Sequence, residues 1–248
     1  MNSVTPPPPP AGPSAGDGAT GSEAEPWLDR AALARLDPML DLLAESHVSL
    51  SSVTDPAEAR RVHVADSLSG LACPEVRAAK RCADLGAGAG FPGIPLAVFL
   101  PECEFVLIDS VGRKVDFMNE AISALGLENA RAIKARSEDF ASGEGREAFD
   151  LVTARAVAPL AALAELASPL LREGGHLLAW KGEPEPDSEQ VIAANRDRLA
   201  MEIEGVREVM PYVGSRDRRL YLLVKAGPTP DGLPRRPGMA RKRPLGGG

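Results

Sequence analysis

From residue 80 onward, short apolar runs of strand length alternate with segments of helical spacing, and this alternation restricts the fold more than any other feature. Strands that alternate with helices form a mostly parallel sheet with helices on both faces, because each crossover helix packs on the sheet. The last two runs are close enough in sequence to pair antiparallel. The pattern therefore predicts an α/β fold with a mostly parallel, Rossmann-like sheet of seven strands. The strand-like runs are RCADLG, EFVLID, ARAIKA, FDLVTAR, GHLLAWKG, MEIEGVREVM and RRLYLLVKA.

Composition separates a central domain from two unusual ends. Residues 1–25 are rich in proline and glycine and lack the apolar content for a core, so we expect disorder there. Residues 26–226 are expected to form one domain, in which a helical N-terminal part (26–79) precedes the Rossmann-like core (80–226). Residues 227–248 carry five basic side chains against one acidic side chain, and we expect this tail to be mobile when alone.

Charge and cysteine usage limit the class of protein. The net charge of −7 argues against nucleic acid as a partner, but a basic tail on an acidic body can still bind phosphate. No apolar run is long enough to span a bilayer, and the N-terminus has no signal-peptide pattern. Cys73, Cys82 and Cys103 form no C-x-x-C pair, so we expect buried, reduced thiols in a cytoplasmic protein without a metal site. No coiled-coil pattern is present, and we expect a monomer.

A glycine-rich loop follows the first predicted strand. The sequence CADLGAGAGFPG, residues 82–93, contains the spacing Gly88-x-Gly90-x-x-Gly93. This spacing is typical of dinucleotide-binding turns, where glycine lets the backbone approach a ligand closely. Glycine-rich turns also simply join a strand to a helix, so the loop alone does not identify a ligand.

Two acidic residues favour one ligand class. Asp109 ends the second predicted strand, 19 residues after Gly90, which suits a carboxylate that accepts hydrogen bonds from ribose hydroxyls. The same residue type also caps helices. Asp84 lies two residues before Gly86, where an anion would repel a pyrophosphate and attract an ammonium group. S-adenosylmethionine carries a ribose and an ammonium group but no phosphate, so the two carboxylates favour it over NAD.

Several blocks of the sequence together resemble one family. The chain is similar to the small-subunit rRNA guanine-N7 methyltransferases, RsmG or GidB, over about residues 30–245. It departs from the family at residues 49–51, where Ser-Leu-Ser replaces the usual Asn-Leu-Thr. The blocks that carry the resemblance are HVADSL, DLGAGAGFPGIPLA, LIDSVGRKVDFMNE, RSEDF, FDLVTARAVAPL, LLAWKG and PRRPGMARKRPL.

The resemblance implies a fold, a reaction and a partner. The fold would be that of a class I, Rossmann-like, S-adenosylmethionine-dependent methyltransferase. The reaction would transfer a methyl group from S-adenosylmethionine to N7 of a guanosine in the 530 loop of 16S rRNA, guanine-527 in the family. The partner would be 16S rRNA, in the small ribosomal subunit or an assembly intermediate.

The resemblance also implies roles for individual residues. It places the methionine end of the cofactor against Gly86, Gly88 and Phe91, and the ribose at Asp109. It places the adenine near Ser137 and Glu138, a pair that also suits a helix N-terminus. It assigns Arg155 to the cofactor or substrate site, with a structural ion pair as the alternative. The spacing of His63 and Asp66, one helical turn apart, lets them approach the site, but we expect them to form a structural pair instead.

Basic residues at strand ends and in the tail are candidates for RNA contact. Each of them could instead be a solvated surface charge. They are Arg136, Lys181, Arg235, Arg236, Arg241, Lys242 and Arg243.

The turn after the fourth predicted strand bears on the atom that is methylated. TARAVAPL lacks the Asp/Asn-Pro-Pro-aromatic sequence of enzymes that methylate exocyclic amines, and no Pro-Cys nucleophile is present. Guanine N7 has an in-plane lone pair and no proton, so no catalytic base is predicted, only positioning, in which Arg155 could take part. Two alternatives stay open: an NAD-dependent oxidoreductase, and a non-enzymatic module that binds the cofactor or RNA.

Overall fold

The computed structural model describes residues 30–46, 50–51, 53 and 55–246. The predicted disorder of residues 1–25 concerns a segment outside the described residues. One sheet of seven strands forms the centre, in the spatial order β3-β2-β1-β4-β5-β7-β6. The strands are β1 (Arg81–Leu85), β2 (Glu104–Asp109), β3 (Ala130–Lys134), β4 (Phe149–Arg155), β5 (Leu171–Lys181), β6 (Met201–Glu208) and β7 (Arg219–Lys225).

The pairing of the strands matches the alternation in the sequence. β1 to β5 pair in parallel, and β7 runs antiparallel between β5 and β6. The strand order reverses at β1 and β4, which lie side by side. Ligands of such sheets bind outside the carboxyl ends of the strands at this reversal. The loops after β1 and β4 therefore flank the expected binding site.

Helices cover both faces of the sheet, as predicted. Within the described residues they are α1 (Arg30–Ala34), α2 (Asp37–Glu45), α3 (Pro56–Ala59), α4 (Ala65–Leu68), α5 (Pro74–Ala78), α6 (Gly93–Phe99), α7 (Gly112–Ala124), α8 (Ser137–Ala141), α9 (Leu160–Ala167), α10 (Pro186–Ala194), α11 (Arg196–Leu199) and α12 (Met239–Lys242). None of the described helices is long and apolar enough to cross a membrane.

The two faces of the sheet bury separate apolar clusters. Successive side chains of a strand point to opposite faces, so neighbours in sequence enter different clusters. Cys82 and Phe105 pack with the N-terminal helices, α6 and α7, whereas Ala83 and Val106 pack with α9 and α10. The three cysteines are free and buried. This layering leaves the carboxyl edge of the sheet for polar side chains.

The helical segment before the sheet contains a π-helical turn. Residues 56–72 form one helical path, in which the π turn Arg60–Val64 stands between α3 and α4 and a 3₁₀ turn, Ser69–Ala72, follows. π turns of this kind occur often at functional sites. This path brings His63 and Asp66 to the carboxyl edge of the sheet, beside the end of β4.

The C-terminal tail packs against the domain, and its expected mobility when alone stays a prediction. Residues 227–246 pack against the domain, and Leu233 and Ala240 are buried. Near the start of the tail, the Lys225 ammonium donates hydrogen bonds to the carbonyls of Ser168 and Leu171 and to the Thr229 hydroxyl, at 2.6, 3.0 and 2.9 Å. Burial lowers the pKa of Lys225 to about 8. The tail is therefore part of the packed structure.

Candidate active site

The glycine loop leaves β1 in a conformation that other residues would strain. Gly86 has a φ of +63°, and its N–H donates to the carbonyl of Ile108 at 2.8 Å. A Cβ at Gly86 would lie 2.8 Å from Cγ2 of Val157, in the loop after β4. Glycine at this position therefore allows the loops after β1 and β4 to touch, and it keeps open the cavity that Gly86 lines.

Asp84, near the end of β1, is buried under the glycine loop and fixes its position through hydrogen bonds. Its carboxylate is fully buried and accepts hydrogen bonds from the N–H of Gly93 and the hydroxyl of Thr153, both at 2.9 Å. Burial raises the pKa of Asp84 to about 7. The structure does not bring Asp84 to a cavity surface, so its observed role is to anchor the loop to the start of α6. An ammonium-binding role stays a prediction.

The raised pKa of Asp84 predicts a pH dependence of stability. Below pH 7 the folded protein retains a proton that the unfolded chain releases near pH 4, so stability falls as the pH rises through this window. We expect the free energy of unfolding of the wild type, relative to Asp84→Asn, to fall by about 3 kcal/mol between pH 5 and pH 8. Urea unfolding of both proteins at four pH values measures this. If the free energies of unfolding of the two proteins change with pH in parallel, Asp84 does not have a raised pKa.

Asp109 organises the wall of a first cavity, of about 300 Å³. Its Oδ2 accepts from the N–H of Gly88 at 3.1 Å, and its Oδ1 accepts from the N–H of Val111 at 2.9 Å. The Lys114 ammonium lies 3.7 Å from Oδ2. Asp109, at the end of β2, thus ties the glycine loop to the residues that lead into α7. The first cavity is lined by Leu85, Gly86, Ile108, Asp109, Ser110, Val111, Lys114, Ala135, Arg136, Ser137, Glu138, Ala156, Val157, Leu166, Gly238 and Arg241.

Ser137 and Glu138 line the same cavity at the start of α8. The Ser137 hydroxyl donates to Oε2 of Glu138 at 3.1 Å, and the Gly238 N–H donates to Oε1 at 2.7 Å. Gly238 belongs to the tail, and Arg241 of the tail also lines the cavity. The tail therefore supplies one wall of the first cavity, and it satisfies the nearly buried carboxylate of Glu138.

A second cavity, of about 770 Å³, lies on the other side of the end of β4. Both cavities share Ala156 as a lining residue. Ala156 has a φ of +55°, a left-handed conformation that costs an alanine roughly 1–2 kcal/mol. Such strain clusters at functional sites. The second cavity is lined by Val53, Val62, His63, Asp66, Arg155, Ala156, Trp180, Lys181, Gly182, Glu183, Pro184, Glu185, Tyr212 and Arg218.

Arg155 forms a buried ion pair in the wall of the second cavity. Its Nη1 donates to Oδ2 of Asp66 at 3.0 Å and to the carbonyl of His63 at 3.2 Å. The guanidinium lies 5.3 Å from the ring centroid of Phe91, which is buried behind it. Burial lowers the pKa of Arg155. The predicted cofactor or substrate role and the predicted structural ion pair thus fall on the same residue.

His63 and Asp66 are not paired with each other, so that prediction was wrong. Oδ2 of Asp66 accepts from Arg155, whereas Nε2 of His63 lies 2.7 Å from the hydroxyl of Ser51. The π turn separates the two side chains enough for each to find its own partner. Burial and the nearby Arg155 lower the pKa of His63 to about 4, so the imidazole is neutral at neutral pH. Ser51 lies in the stretch that departs from the family pattern, and Ser49 lies outside the described residues.

The basic candidates have different surroundings. Arg136 is exposed at the rim of the first cavity. The ammonium of Lys181 donates to the carbonyl of Ala158 at 2.8 Å and pairs with Glu185. Arg236, Arg241, Lys242 and Arg243 are exposed.

Arg235 is engaged inside the protein, in contrast to the expectation of a free tail charge. Its Nε and Nη2 donate to the two carboxylate oxygens of Glu165 at 2.5 and 2.6 Å. Glu165 is 2% exposed, so a buried carboxylate required this partner.

Several residues of the site were missed by sequence reasoning. Lys114 lies on the first turn of α7, and its position five residues after Asp109 could have suggested it. Tyr212 and Arg218 reach the second cavity from the loop between β6 and β7, and Gly238 reaches the first cavity from the tail. No local pattern indicated these contacts, because they depend on how distant segments pack.

The sequence is similar to one known family over most of its length. The family model described as rRNA small subunit methyltransferase G matches residues 33–221. A relative named ribosomal RNA small subunit methyltransferase G from Rubrobacter xylanophilus is 45% identical over 75% of this chain and 73% of its own length. Relatives of the same name from Desulfitobacterium hafniense and Symbiobacterium thermophilum are 40% and 38% identical, over 80% and 91% of this chain and 82% and 93% of their own lengths.

Solved structures share the fold. The mitomycin 7-O-methyltransferase MmcR superposes with a TM-score of 0.54 at 11% identity, over 69% of this chain and 55% of that chain. NSun6 from Pyrococcus horikoshii with SFG superposes with a TM-score of 0.51 at 15% identity, over 67% of this chain and 52% of that chain. These likenesses and the sheet order confirm the predicted Rossmann-like, class I methyltransferase fold.

Proposed function

The chain belongs to the rRNA small subunit methyltransferase G family, and from this premise we propose that it transfers a methyl group from S-adenosylmethionine to N7 of a guanosine in the 530 loop of 16S rRNA. The observation that carries the proposal is the meeting of two cavities at Ala156, where the sheet order reverses. A methyl donor in the first cavity and a base in the second would meet across this residue.

The residues of the first cavity fit S-adenosylmethionine. Asp109 offers carboxylate oxygens to ribose hydroxyls, and the Gly86 position leaves room where a Cβ would close the loop. The cavity volume of about 300 Å³ lies in the usual range for small-molecule sites. The adenine end would lie toward Ser137 and Glu138, and the methionine end toward Gly86 and Gly88.

The start of α6 favours this donor over a pyrophosphate ligand. In dinucleotide-binding folds, the pyrophosphate accepts hydrogen bonds from the N–H groups at the start of the helix after the glycine loop. Here the carboxylate of Asp84 accepts the Gly93 N–H. A carboxyl group of the protein therefore already accepts the N–H that a pyrophosphate would need at that position.

The polar groups of the second cavity suit positioning better than proton transfer. When bound, S-adenosylmethionine supplies a methyl group on a positively charged sulfur, which the in-plane lone pair of guanine N7 can take without losing a proton. Asp66 and Arg155 are paired with each other, and the low pKa of His63 keeps its ring neutral. These groups would orient the base and exclude water, and the rate would come from alignment.

The direct test uses methyl-labelled S-adenosylmethionine and small ribosomal subunits from a strain that lacks the modification. We expect label at one guanosine of the 530 loop, mapped by borohydride–aniline cleavage, which cuts at N7-methylguanosine. Naked 16S rRNA and an assembly intermediate, assayed in parallel, identify the preferred form of the substrate. Label elsewhere in the rRNA would refute the proposed site while leaving rRNA methylation in place.

Binding measurements separate the proposal from its two alternatives. Calorimetric titration with S-adenosylhomocysteine and with NAD reports which ligand the first cavity takes. Binding of NAD alone would favour an oxidoreductase. Binding of S-adenosylhomocysteine and RNA without any transfer would favour a non-enzymatic module. We further propose that the protein acts as a monomer in the cytoplasm, which sedimentation and cell fractionation would test.

A further inference from the structure

The loop between β6 and β7, residues 209–218, forms an exposed surface beside the second cavity. Met210 is 85% exposed and Val213 is 97% exposed. Such exposure is unusual for large apolar side chains in a loop that joins two paired strands. Among the described residues, these two are the most exposed large apolar side chains. Nothing in the fold accounts for them, so they are candidates for contact with a partner.

The loop is held in place by arginine and tyrosine contacts. The guanidinium of Arg61 lies 4.9 Å from the ring centroid of Tyr212, and its Nη1 donates to the carbonyl of Val213 at 3.5 Å. Arg61 is itself fixed by two hydrogen bonds to Glu58. The surface is therefore anchored to the helical path that carries His63 and Asp66.

Arg218 connects this loop to the proposed base site. Its Nε lies 3.7 Å from Oδ1 of Asp66, and both atoms are buried without a hydrogen-bond partner among the described residues. Asp66 in turn pairs with Arg155. Unsatisfied buried polar atoms are rare in folded proteins, so this pair is a site where a further polar group would be favourable.

A groove of about 570 Å³ continues from Arg218 along the other side of the loop. Arg216 lines it, is exposed, and has no ion-pair partner among the described residues. The hydroxyl of Ser215, also in the groove, is buried and without a partner. The second cavity and this groove share Arg218, so a chain that leaves the cavity can continue into the groove.

We infer that the β6–β7 loop is the docking surface for the single-stranded RNA that flanks the target guanosine. An unpaired arginine, buried unsatisfied polar atoms and exposed apolar side chains suit phosphates, sugar hydroxyls and unstacked bases, respectively. Arg216 binds a backbone phosphate in the groove, while Met210 and Val213 contact bases. This inference rests on the proposed function, because that function puts the target base in the second cavity.

The test is RNA affinity as a function of salt, measured on the full chain. Fluorescence anisotropy with a 530-loop RNA reports binding without requiring methyl transfer. We expect Arg216→Glu to weaken RNA binding about tenfold and to reduce the slope of log affinity against log salt by about one. Met210→Ser with Val213→Ser should weaken binding without changing the salt slope. Affinity for S-adenosylhomocysteine should stay unchanged in all these variants.

The control is Arg131→Glu, which reverses an exposed charge on β3, at the opposite edge of the sheet, where Arg131 lies 3.9 Å from Glu144. If Arg216→Glu behaves like Arg131→Glu while the wild type methylates rRNA, the docking surface is refuted and the proposed function stands. If the wild type binds RNA without methylating it and Arg216→Glu weakens binding, the surface stands and the function fails. A wild type that binds neither the 530-loop RNA nor the small ribosomal subunit overturns both.

Discussion

We expect Asp109→Ala to bind S-adenosylhomocysteine far more weakly than the wild type while the protein stays folded. The carboxylate of Asp109 lines the first cavity and accepts the N–H groups of Gly88 and Val111. Its loss removes the proposed acceptor for the ribose hydroxyls and the hydrogen bonds that tie the glycine loop to the residues leading into α7. Hydrogen bonds to a charged group contribute about 1.5–3 kcal/mol each, so two lost ribose contacts predict a Kd for S-adenosylhomocysteine raised on the order of 100-fold or more. Calorimetric titration measures this directly.

Two further variants separate ligand binding from general damage. Asp109→Asn keeps one acceptor oxygen and the shape of the side chain, and we expect it to fall between Asp109→Ala and the wild type. Asp116→Ala removes an exposed carboxylate from α7, the helix that follows Asp109, and should bind the ligand like the wild type. If Asp109→Ala retains wild-type affinity, the first cavity is not the site of the ribose.

The fold could be predicted from the sequence because its signals are local. Each of these signals acts within one element or turn. They are the apolar runs of β1 and β2, which are buried along nearly their whole length, the proline that interrupts the helical spacing at Asp37–Pro38, and the glycine at residue 126. The structure places helix boundaries where these residues predict them: α1 ends at Ala34, α2 begins at Asp37, and α7 ends at Ala124. The antiparallel pairing of β6 and β7 followed from their short connection.

The site was predicted only where its residues follow strand ends. Gly86, Asp109, Ser137 and Glu138 all line the first cavity because each lies at or just beyond the carboxyl end of β1, β2 or β3. Asp84 has the right place in the sequence, but β1 buries its side chain beneath the loop. Sequence spacing gives the position of a residue along a strand, and the twist and packing of the sheet decide whether the side chain reaches the surface.

The packing of the tail was not predicted, because its partners are distant in sequence. A basic, proline-rich segment suggests a mobile polyelectrolyte, yet one feature of the sequence opposed this interpretation. Glu165 lies in α9 among seven apolar residues, and a carboxylate in such a helix needs a cation. That cation is Arg235, 70 residues later. A buried acid in an apolar helix therefore predicts a partner somewhere in the chain, without saying where.

Arg235→Ala should detach the tail and weaken cofactor binding together. The variant leaves the 2%-exposed carboxylate of Glu165 with only the Leu245 N–H, at 3.0 Å, as a donor. Removing one partner of a buried pair costs about 3–5 kcal/mol, and the partial exposure of Arg235 puts the expected loss near the lower figure, about 3 kcal/mol. Because Gly238 and Arg241 line the first cavity, affinity for S-adenosylhomocysteine should fall as the tail leaves. Urea unfolding, limited trypsin digestion and calorimetric titration give the three readouts.

Arg236→Ala is the matched control, because this neighbouring arginine is exposed, and we expect it to change stability by no more than about 0.5 kcal/mol. The double variant Glu165→Leu with Arg235→Leu should recover most of the stability, since an apolar pair can replace a buried ion pair at little cost. Equal behaviour of Arg235→Ala and Arg236→Ala in all three readouts would contradict the anchoring role.

The two modes by which Arg235→Ala could act have different signatures. If the tail stays docked over an unpaired Glu165, the free energy of unfolding falls and the tail remains resistant to trypsin. If the tail leaves, Glu165 becomes hydrated, the loss in the free energy of unfolding is limited to the docking energy of the tail, and trypsin cleaves after Arg241 or Lys242. Only the second mode links the tail to the cofactor, because Glu138 then loses the Gly238 N–H. Binding of S-adenosylhomocysteine and docking of the tail are then thermodynamically linked. If release of the tail weakens ligand binding by some factor, bound S-adenosylhomocysteine should reduce the opening of the wild-type tail, and so its cleavage by trypsin, by the same factor.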